Sequence, residues 1–244
     1  MDKLKPSLLL LPNVLDEGAA HELFFPPSVQ AAVETLDGLI AESFKGGRHF
    51  LRRFSFPHPK TFSQIPIQLL NEHTKEDEID PLLEPIKKGQ RWGLVSDGGL
   101  VCLADPGAKL VMRARKLGLS VEAFIGPSSI VLALMLSGLP AQSFAFHGYL
   151  EKEVDLLEKQ IKMLEMRSSK EKSTQLFIET PYRNQKMLDI LLKTLTDSTL
   201  LCIASDLTAP GQIVLCQSVK TWKKIPLPNL KDKPTVFLFH SDLN

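Results

Sequence analysis

Two loops of small residues constrain this chain more than any other feature. The first is Ser96-Asp97-Gly98-Gly99, running on to Ala104-Asp105-Pro106-Gly107, and the second is Gly126-Pro127-Ser128-Ser129. Each follows a short apolar, β-prone run, Trp92-Gly93-Leu94-Val95 in one case and Val121 to Ile125 in the other. Such runs suit strands buried on both faces of a parallel sheet. Each loop also opens a helix-like stretch, so both lie at strand carboxyl ends, where backbone N–H groups and helix N-termini converge and open α/β sheets bind ligands. The pattern predicts an α/β fold with a small-ligand crevice.

The rest of the chain continues the alternation. Ser7 to Leu11 and Gly38 to Ala41 read as buried strands, with helices at Ser28 to Leu36 and, strongly basic, at Lys45 to Phe54. Alternating strand and helix favours a parallel sheet. Residues 55–74, with three prolines, read as irregular, and Thr74 with Asp77 predicts a capping box for a helix towards Lys88 that Pro81 and Pro85 interrupt. Asp105 as N-cap, Pro106 at the first helical position and Gly118 after the last turn frame a helix with Leu110, Val111, Ala114 and Leu117 on its apolar side. Ser128 to Leu136 is almost wholly apolar and therefore predicted to be a buried helix, closed by Gly138 and Pro140. The domain boundary is placed just beyond it, giving an N-terminal α/β domain over 1–141 and a C-terminal one over 142–244. In the second, Phe144, Phe146 and Gly148 alternate as a strand with one face on a core, and Val154, Leu157, Ile161 and Leu164 mark an amphipathic helix. A strand at Gln175 to Ile178 leads into Glu179-Thr180-Pro181-Tyr182-Arg183, a helix follows at Met187 to Leu195, and strands at Leu200 to Ala204, Ile213 to Gln217 and Thr235 to Phe239 complete it.

Composition narrows the function classes. A net charge of +1 supplies no global attraction for nucleic acid, although a local basic patch can still act. Cys102, Cys202 and Cys216 are odd in number and lack CxxC spacing, which argues against a disulfide framework or a zinc site and fits a reducing cytoplasm. Leu8 to Leu11 is too short for a signal-peptide core, and no run approaches a membrane span. The expectation is a cytoplasmic protein with no metal and no membrane contact. Neither GxxxxGK[ST] nor GxGxxG occurs, so the nucleoside triphosphate and dinucleotide fingerprints are both missing and a different nucleoside-like ligand is left open.

Four segments in order, Leu94 to Val111, Gly126 through Pro140, Phe144 to Leu150, and Phe177 to Arg183, resemble the tetrapyrrole methylase superfamily, the class III S-adenosylmethionine-dependent methyltransferases. Within it the chain is most similar to the branch that methylates ribosomal RNA at ribose 2′-oxygens, and to a shorter sister group. The resemblance implies two α/β/α domains, S-adenosylmethionine in a cleft between them, and a homodimer. It carries cofactor contacts onto Pro12, Ser96, Asp97, Gly98 and Gly99, onto Ala104, Asp105 and Pro106, onto Pro127, Ser128 and Ser129, and onto Thr180. Asp206, Leu207 and Thr208 match a further family segment, Arg-Glu-Leu-Thr, in part. The chain departs from the branch at Leu11-Pro12-Asn13-Val14-Leu15, where Thr-Pro-Ile-Gly-Asn is usual, and at Leu100-Val101, where Thr-Pro is usual.

Methylating a ribose hydroxyl profits from a base, because the hydroxyl is a weak acid. Glu42, matching the branch through Ala41-Glu42, is the first candidate, against a carboxylate that merely complements a helix N-terminus. His73 is the second, against a solvated loop histidine. Arg48, Arg52 and Arg53 lie near one face of the basic helix and are candidates for RNA phosphates, against a solvated face. Glu179 and Arg183 are candidates to orient substrate. The expected activity is methyl transfer to RNA; a tetrapyrrole or other small-molecule acceptor, or a non-catalytic S-adenosylmethionine-binding protein, are the alternatives.

Overall fold

The computed structural model describes residues 4–242. They fall into two compact units, divided in the chain between Ser128 and Ser129. In the first, strands β1 (Ser7–Leu10), β2 (Gly38–Ala41), β3 (Ile67–Leu69), β4 (Arg91–Val95) and β5 (Ser120–Ala123) form one sheet in the order β3-β2-β4-β1-β5. Every pairing is parallel, so all five carboxyl ends lie along one edge. Helices α1 (Pro27–Glu34), α2 (Phe44–Arg52), α3 (Ile79–Lys87) and α4 (Gly107–Lys116) connect them.

Alternate strand residues point to opposite faces, and the core divides accordingly. Leu9 and Leu39 join Val29, Val33, Phe50 and Leu51 of α1 and α2 on one side. Leu8, Ile40, Trp92 and Leu94 join Leu82, Leu83, Leu110 and Ala114 of α3 and α4 on the other. The apolar runs of β1, β2 and β4 are those of strands covered on both faces, whereas β5, expected to be buried likewise, is an edge strand with half-buried and exposed residues, and Ile125 just beyond it is exposed.

Three local expectations change. The segment 55–74 is not wholly irregular, since it contains β3, a three-residue edge strand between Pro66 and Asn71. The capping interaction before α3 is made by the backbone N–H of Lys75, donating to Glu78 Oε2 at 2.7 Å, not by Thr74 with Asp77; the Thr74 hydroxyl accepts from Asn71 N. Asp105 stands one residue further from the helix than an N-cap, with Pro106 at that position, although its carboxylate still accepts from Gly107 N at 2.8 Å.

The second unit contains α5 (Ser129–Ser137), β6 (Phe144–Tyr149), α6 (Val154–Glu171), β7 (Thr174–Ile178), α7 (Asn184–Thr194), β8 (Leu200–Ser205), β9 (Ile213–Ser218), α8 (Val219–Trp222) and β10 (Thr235–His240). Its sheet runs β6-β7-β10-β8-β9 and is mixed: only β6 and β7 are parallel. Leu157, Ile161 and Leu164 of α6 enter a core with Phe177, Leu188, Leu191, Trp222, Phe237 and Phe239.

Helix α5 packs on β8, β9 and β10. It therefore belongs with the second sheet, so the compact units meet at 128/129, ahead of the boundary after residue 141 that its closing Gly138 and Pro140 suggested. Nor is it buried all round: Ile130, Ala133 and Leu134 are covered, while Val131, Met135 and Leu136 are exposed. Phe144 is likewise exposed, because β6 is an edge strand.

Candidate functional site

The carboxyl edge of the parallel sheet gathers both small-residue loops, and Asn13, in the loop after β1, fastens the first of them. Its backbone N–H donates to Gly99 O at 2.8 Å, and its side-chain Nδ2 donates to Ser96 O at 3.0 Å and Asp97 O at 3.1 Å. Its Oδ1 accepts from Val14 N at 2.9 Å, so the whole amide is engaged in a buried position. The loop after β1 thus fixes the carbonyls of the loop after β4, and one buried amide sets the path of Ser96 to Gly99.

Gly99 adopts φ +73°, in the left-handed region that glycine tolerates. A Cβ there would meet Leu15 Cδ2 at 3.0 Å and Pro127 O at 3.2 Å, and one at Gly126 would meet the Pro12 ring at 2.1 Å. Both glycines therefore permit the loops after β1, β4 and β5 to approach. Pro12 is buried and serves this packing. Asp97 and Gly98 are exposed, whereas Ser96 and Ser128 are buried. Ser96 Oγ donates to Gly98 O at 3.2 Å, a further brace within the turn.

The edge is acidic. Glu42, immediately after β2, accepts from Asp97 N through Oε1 at 2.9 Å. Burial raises its pKa above the ordinary carboxylate range; the Asp97 N–H opposes the shift, and the charges of Asp97, Asp105 and Glu72 add to it. Asp105 accepts from Cys102 N at 2.7 Å and Gly107 N at 2.8 Å, and burial raises its pKa as well. Burial, with the Asp105 charge adding to it, pushes the Cys102 thiol up to about 12. Asn71 Nδ2 donates to Glu42 O at 3.2 Å, and Ser43 Oγ caps α2 by accepting from Gly46 N at 2.9 Å.

His73 lies in the loop after β3, on this same edge, with its ring exposed and 3.6 Å from the Glu72 carboxylate. The three arginines of α2 do not form a common outward face. Arg48 Nη1 donates to Phe62 O at 2.8 Å and Ile65 O at 2.7 Å, and Arg53 donates to Ala19 O at 3.1 Å and Glu17 O at 2.9 Å. These two tie neighbouring segments to the helix. Arg52 is exposed, its guanidinium 5.7 Å from the Phe62 ring centroid. Of the three arginines expected to form an outward basic surface, Arg52 alone is exposed.

In the second unit, Glu179 is buried at the end of β7. Its Oε1 accepts from Thr180 N at 2.7 Å and Thr180 Oγ1 at 3.1 Å, while Oε2 pairs with Arg183 at 3.3 Å. The turn after β8 holds Asp206 at φ +49° and Thr208 at φ +72°. Asp206 pairs with Lys233 at 2.8 Å, and Leu207 is buried. Thr208 Oγ1 is buried without a hydrogen-bond partner, a state that costs free energy unless a ligand supplies one. Among the described residues no group of His, Cys, Asp and Glu could hold a metal ion, and no helix is long and apolar enough to cross a membrane.

The clearest omission from the sequence reading is Asn13, with Ser43 and Asn71 beside it. The available signal was an asparagine directly after a strand and a proline, where its amide can replace backbone pairing.

The fold is that of known methyltransferases. The structure matches the methyltransferase CobJ with a TM-score of 0.60 at 17% identity, covering 96% of this chain and 93% of that one. It matches the uroporphyrin-III-C-methyltransferase of Thermus thermophilus with a TM-score of 0.56 at 16% identity, covering 97% and 94%. In sequence the chain is 36% identical over 122 residues to the ribosomal RNA small subunit methyltransferase I of Halalkalibacterium halodurans, covering 50% of this chain and 41% of that protein. It is 27% identical over 195 residues to the protein of that name in Xylella fastidiosa, covering 80% and 67%.

The chain is similar in sequence to proteins named ribosomal RNA small subunit methyltransferase I and shares its fold with methyltransferases of solved structure.

No family model matches it. The chain spans about half the length of most of the curated relatives it matches, the Bacillus subtilis protein among them at 44%.

Proposed function

We propose that this chain is an S-adenosylmethionine-dependent methyltransferase acting on RNA, with a ribose 2′-hydroxyl of small-subunit ribosomal RNA as its acceptor. The observation that carries the reading is its sequence similarity to proteins named ribosomal RNA small subunit methyltransferase I. The chemistry of the carboxyl edge supports the cofactor half. A dinucleotide or nucleoside triphosphate brings phosphates that would be repelled by Glu42, Asp97 and Asp105, whereas S-adenosylmethionine carries a sulfonium and an ammonium group and no phosphate. The residues fit such a ligand: Asp97 is exposed and able to accept from ribose hydroxyls, Gly98 leaves room for close backbone approach, and Thr208 Oγ1 awaits a partner.

In this reading Ser96 to Gly99, Ala104 to Pro106 and Pro127 to Ser129 hold the nucleoside and methionine portions. Thr180, Asp206, Leu207 and Thr208 are proposed as cofactor contacts of the second unit. S-adenosylmethionine supplies a methyl group already activated for departure from sulfur, so the protein has chiefly to orient the acceptor oxygen. Glu42 is assigned as the base. Its Oε1 is committed to the Asp97 N–H, which leaves Oε2 to take the proton, and a raised pKa brings its basicity closer to that needed near neutral pH. His73 is proposed to line the acceptor side, and Arg52, Glu179 and Arg183 to orient the substrate. The reading also includes a homodimer in the cytoplasm, which light scattering checks: a particle of single-chain mass at tens of micromolar contradicts it.

A small-molecule acceptor such as a tetrapyrrole is the second reading, favoured by the engagement of Arg48 and Arg53 with backbone carbonyls, which leaves α2 little positive surface for phosphates. The test supplies methyl-labelled S-adenosylmethionine with unmodified ribosomal RNA and, separately, with a tetrapyrrole. Label that enters RNA and protects one linkage from alkaline cleavage supports the proposal. Label in the tetrapyrrole alone supports the second reading, and cofactor binding with no transfer to either points to a binding protein.

A further inference from the structure

Two of the three cysteines face each other across an antiparallel pair. Cys202 on β8 lies directly opposite Cys216 on β9. Directly opposed residues in antiparallel strands have Cα atoms about 4.5 or 5.5 Å apart, depending on the type of pair. Both separations fall within the range of about 4.4–6.8 Å that a disulfide spans. The two side chains leave the sheet on the same face, so no strand movement is required to bring the sulfurs together. Cys202 is fully buried and Cys216 half-buried on the edge strand, so oxidant reaches Cys216 first. The Cys202 thiol hydrogen-bonds to Cys216 and holds its pKa below the ordinary thiol range, which favours the thiolate; the thiolate is the reactive form.

We propose that Cys202 and Cys216 are a redox-responsive pair, forming a cross-strand disulfide when the protein meets a peroxide. The Cys216 thiolate attacks one peroxide oxygen, breaking the O–O bond and giving a sulfenic acid and hydroxide. The Cys202 thiol then displaces the sulfenic oxygen; the sulfur–sulfur bond forms, and the hydroxyl leaves with the thiol proton as water. Two thiols are oxidised and one peroxide is reduced to two waters. The pair lies midway along the β8–β9 hairpin, whose turn carries Asp206, Leu207 and Thr208, so the bond ties the strands on either side of that turn. The third cysteine, Cys102, belongs to the first unit and takes no part.

The inference stands apart from the proposed methyltransferase activity, because its test reads thiols. The full chain is treated with a modest excess of hydrogen peroxide and its free thiols are counted under denaturing conditions. The expected result is a fall from three thiols to one, restored by dithiothreitol, with a linked peptide joining Cys202 to Cys216 on non-reducing digestion. Cys216→Ser, at a half-buried site that tolerates the change, should abolish the link, and Cys102→Ser should leave it intact. Oxidation of Cys216 to sulfinic acid with Cys202 still reduced overturns the inference, as does retention of all three thiols or a link between separate chains.

Discussion

At Glu42, burial and the charges of Asp97, Asp105 and Glu72 raise the pKa in the folded protein. The sign of the consequence follows from linkage. Between the ordinary glutamate value and the raised one, the folded state binds more protons than the unfolded state, so stability falls as pH rises through that window. Glu42→Gln removes the charge and keeps an oxygen for the Asp97 N–H. Urea unfolding should therefore show the variant gaining stability over wild type as pH is raised from acid to neutral; a difference that does not vary with pH contradicts the cause assigned to the shift. If Glu42 also acts as base, turnover in the same variant falls by about a hundredfold or more with cofactor affinity retained. A different outcome is expected at Arg48. Arg48→Gln loses charged hydrogen bonds to Phe62 O and Ile65 O, and each such bond contributes about 1.5–3 kcal/mol. Its melting temperature should fall, while Arg52→Gln leaves melting nearly unchanged. RNA affinity measured against salt separates the two roles, since only a phosphate contact flattens the salt slope.

Among elements, α5 carries the sharpest contrast between sequence and structure. An almost wholly apolar helix has no stripe to say which sheet it covers, so its caps located its ends but not its partner. Its contacts with β8, β9 and β10 predict that a fragment spanning 129–244 unfolds cooperatively in urea, whereas one spanning 142–244 exposes the face beneath α5 and does not. Equal behaviour of the two fragments would remove α5 from that core. Strand β3 is illegible for another reason: the three residues Ile67–Leu69 are too few for period-two alternation to register. By contrast β4 and α4 were readable because each carries several agreeing signals, a buried apolar run in one and Pro106, an amphipathic face and Gly118 in the other. The backbone ties of Arg48 and Arg53 are illegible in the sequence because their acceptors are carbonyls of distant segments, which leave no mark there. Asn13 escaped notice for the same reason.

For the molecule as a whole, the two small-residue loops share one edge of a parallel sheet, held by Asn13, Gly99 and Gly126. Their convergence was legible because strand polarity follows from alternating strand and helix, and in a parallel sheet every following loop must emerge on the same side. The ligand proposed for this edge is not legible from the residues alone, since small residues and carboxylates serve several nucleoside-like molecules. Calorimetric titration of the purified chain with S-adenosylhomocysteine tests the claim most directly, beside Gly99→Val, whose side chain must enter the space taken by Leu15 and Pro127. The expected result is saturable binding in the micromolar range by wild type, strongly weakened in a variant that remains folded by circular dichroism. Absence of heat in wild type, or equal affinity in the folded variant, would contradict a nucleoside site at this edge.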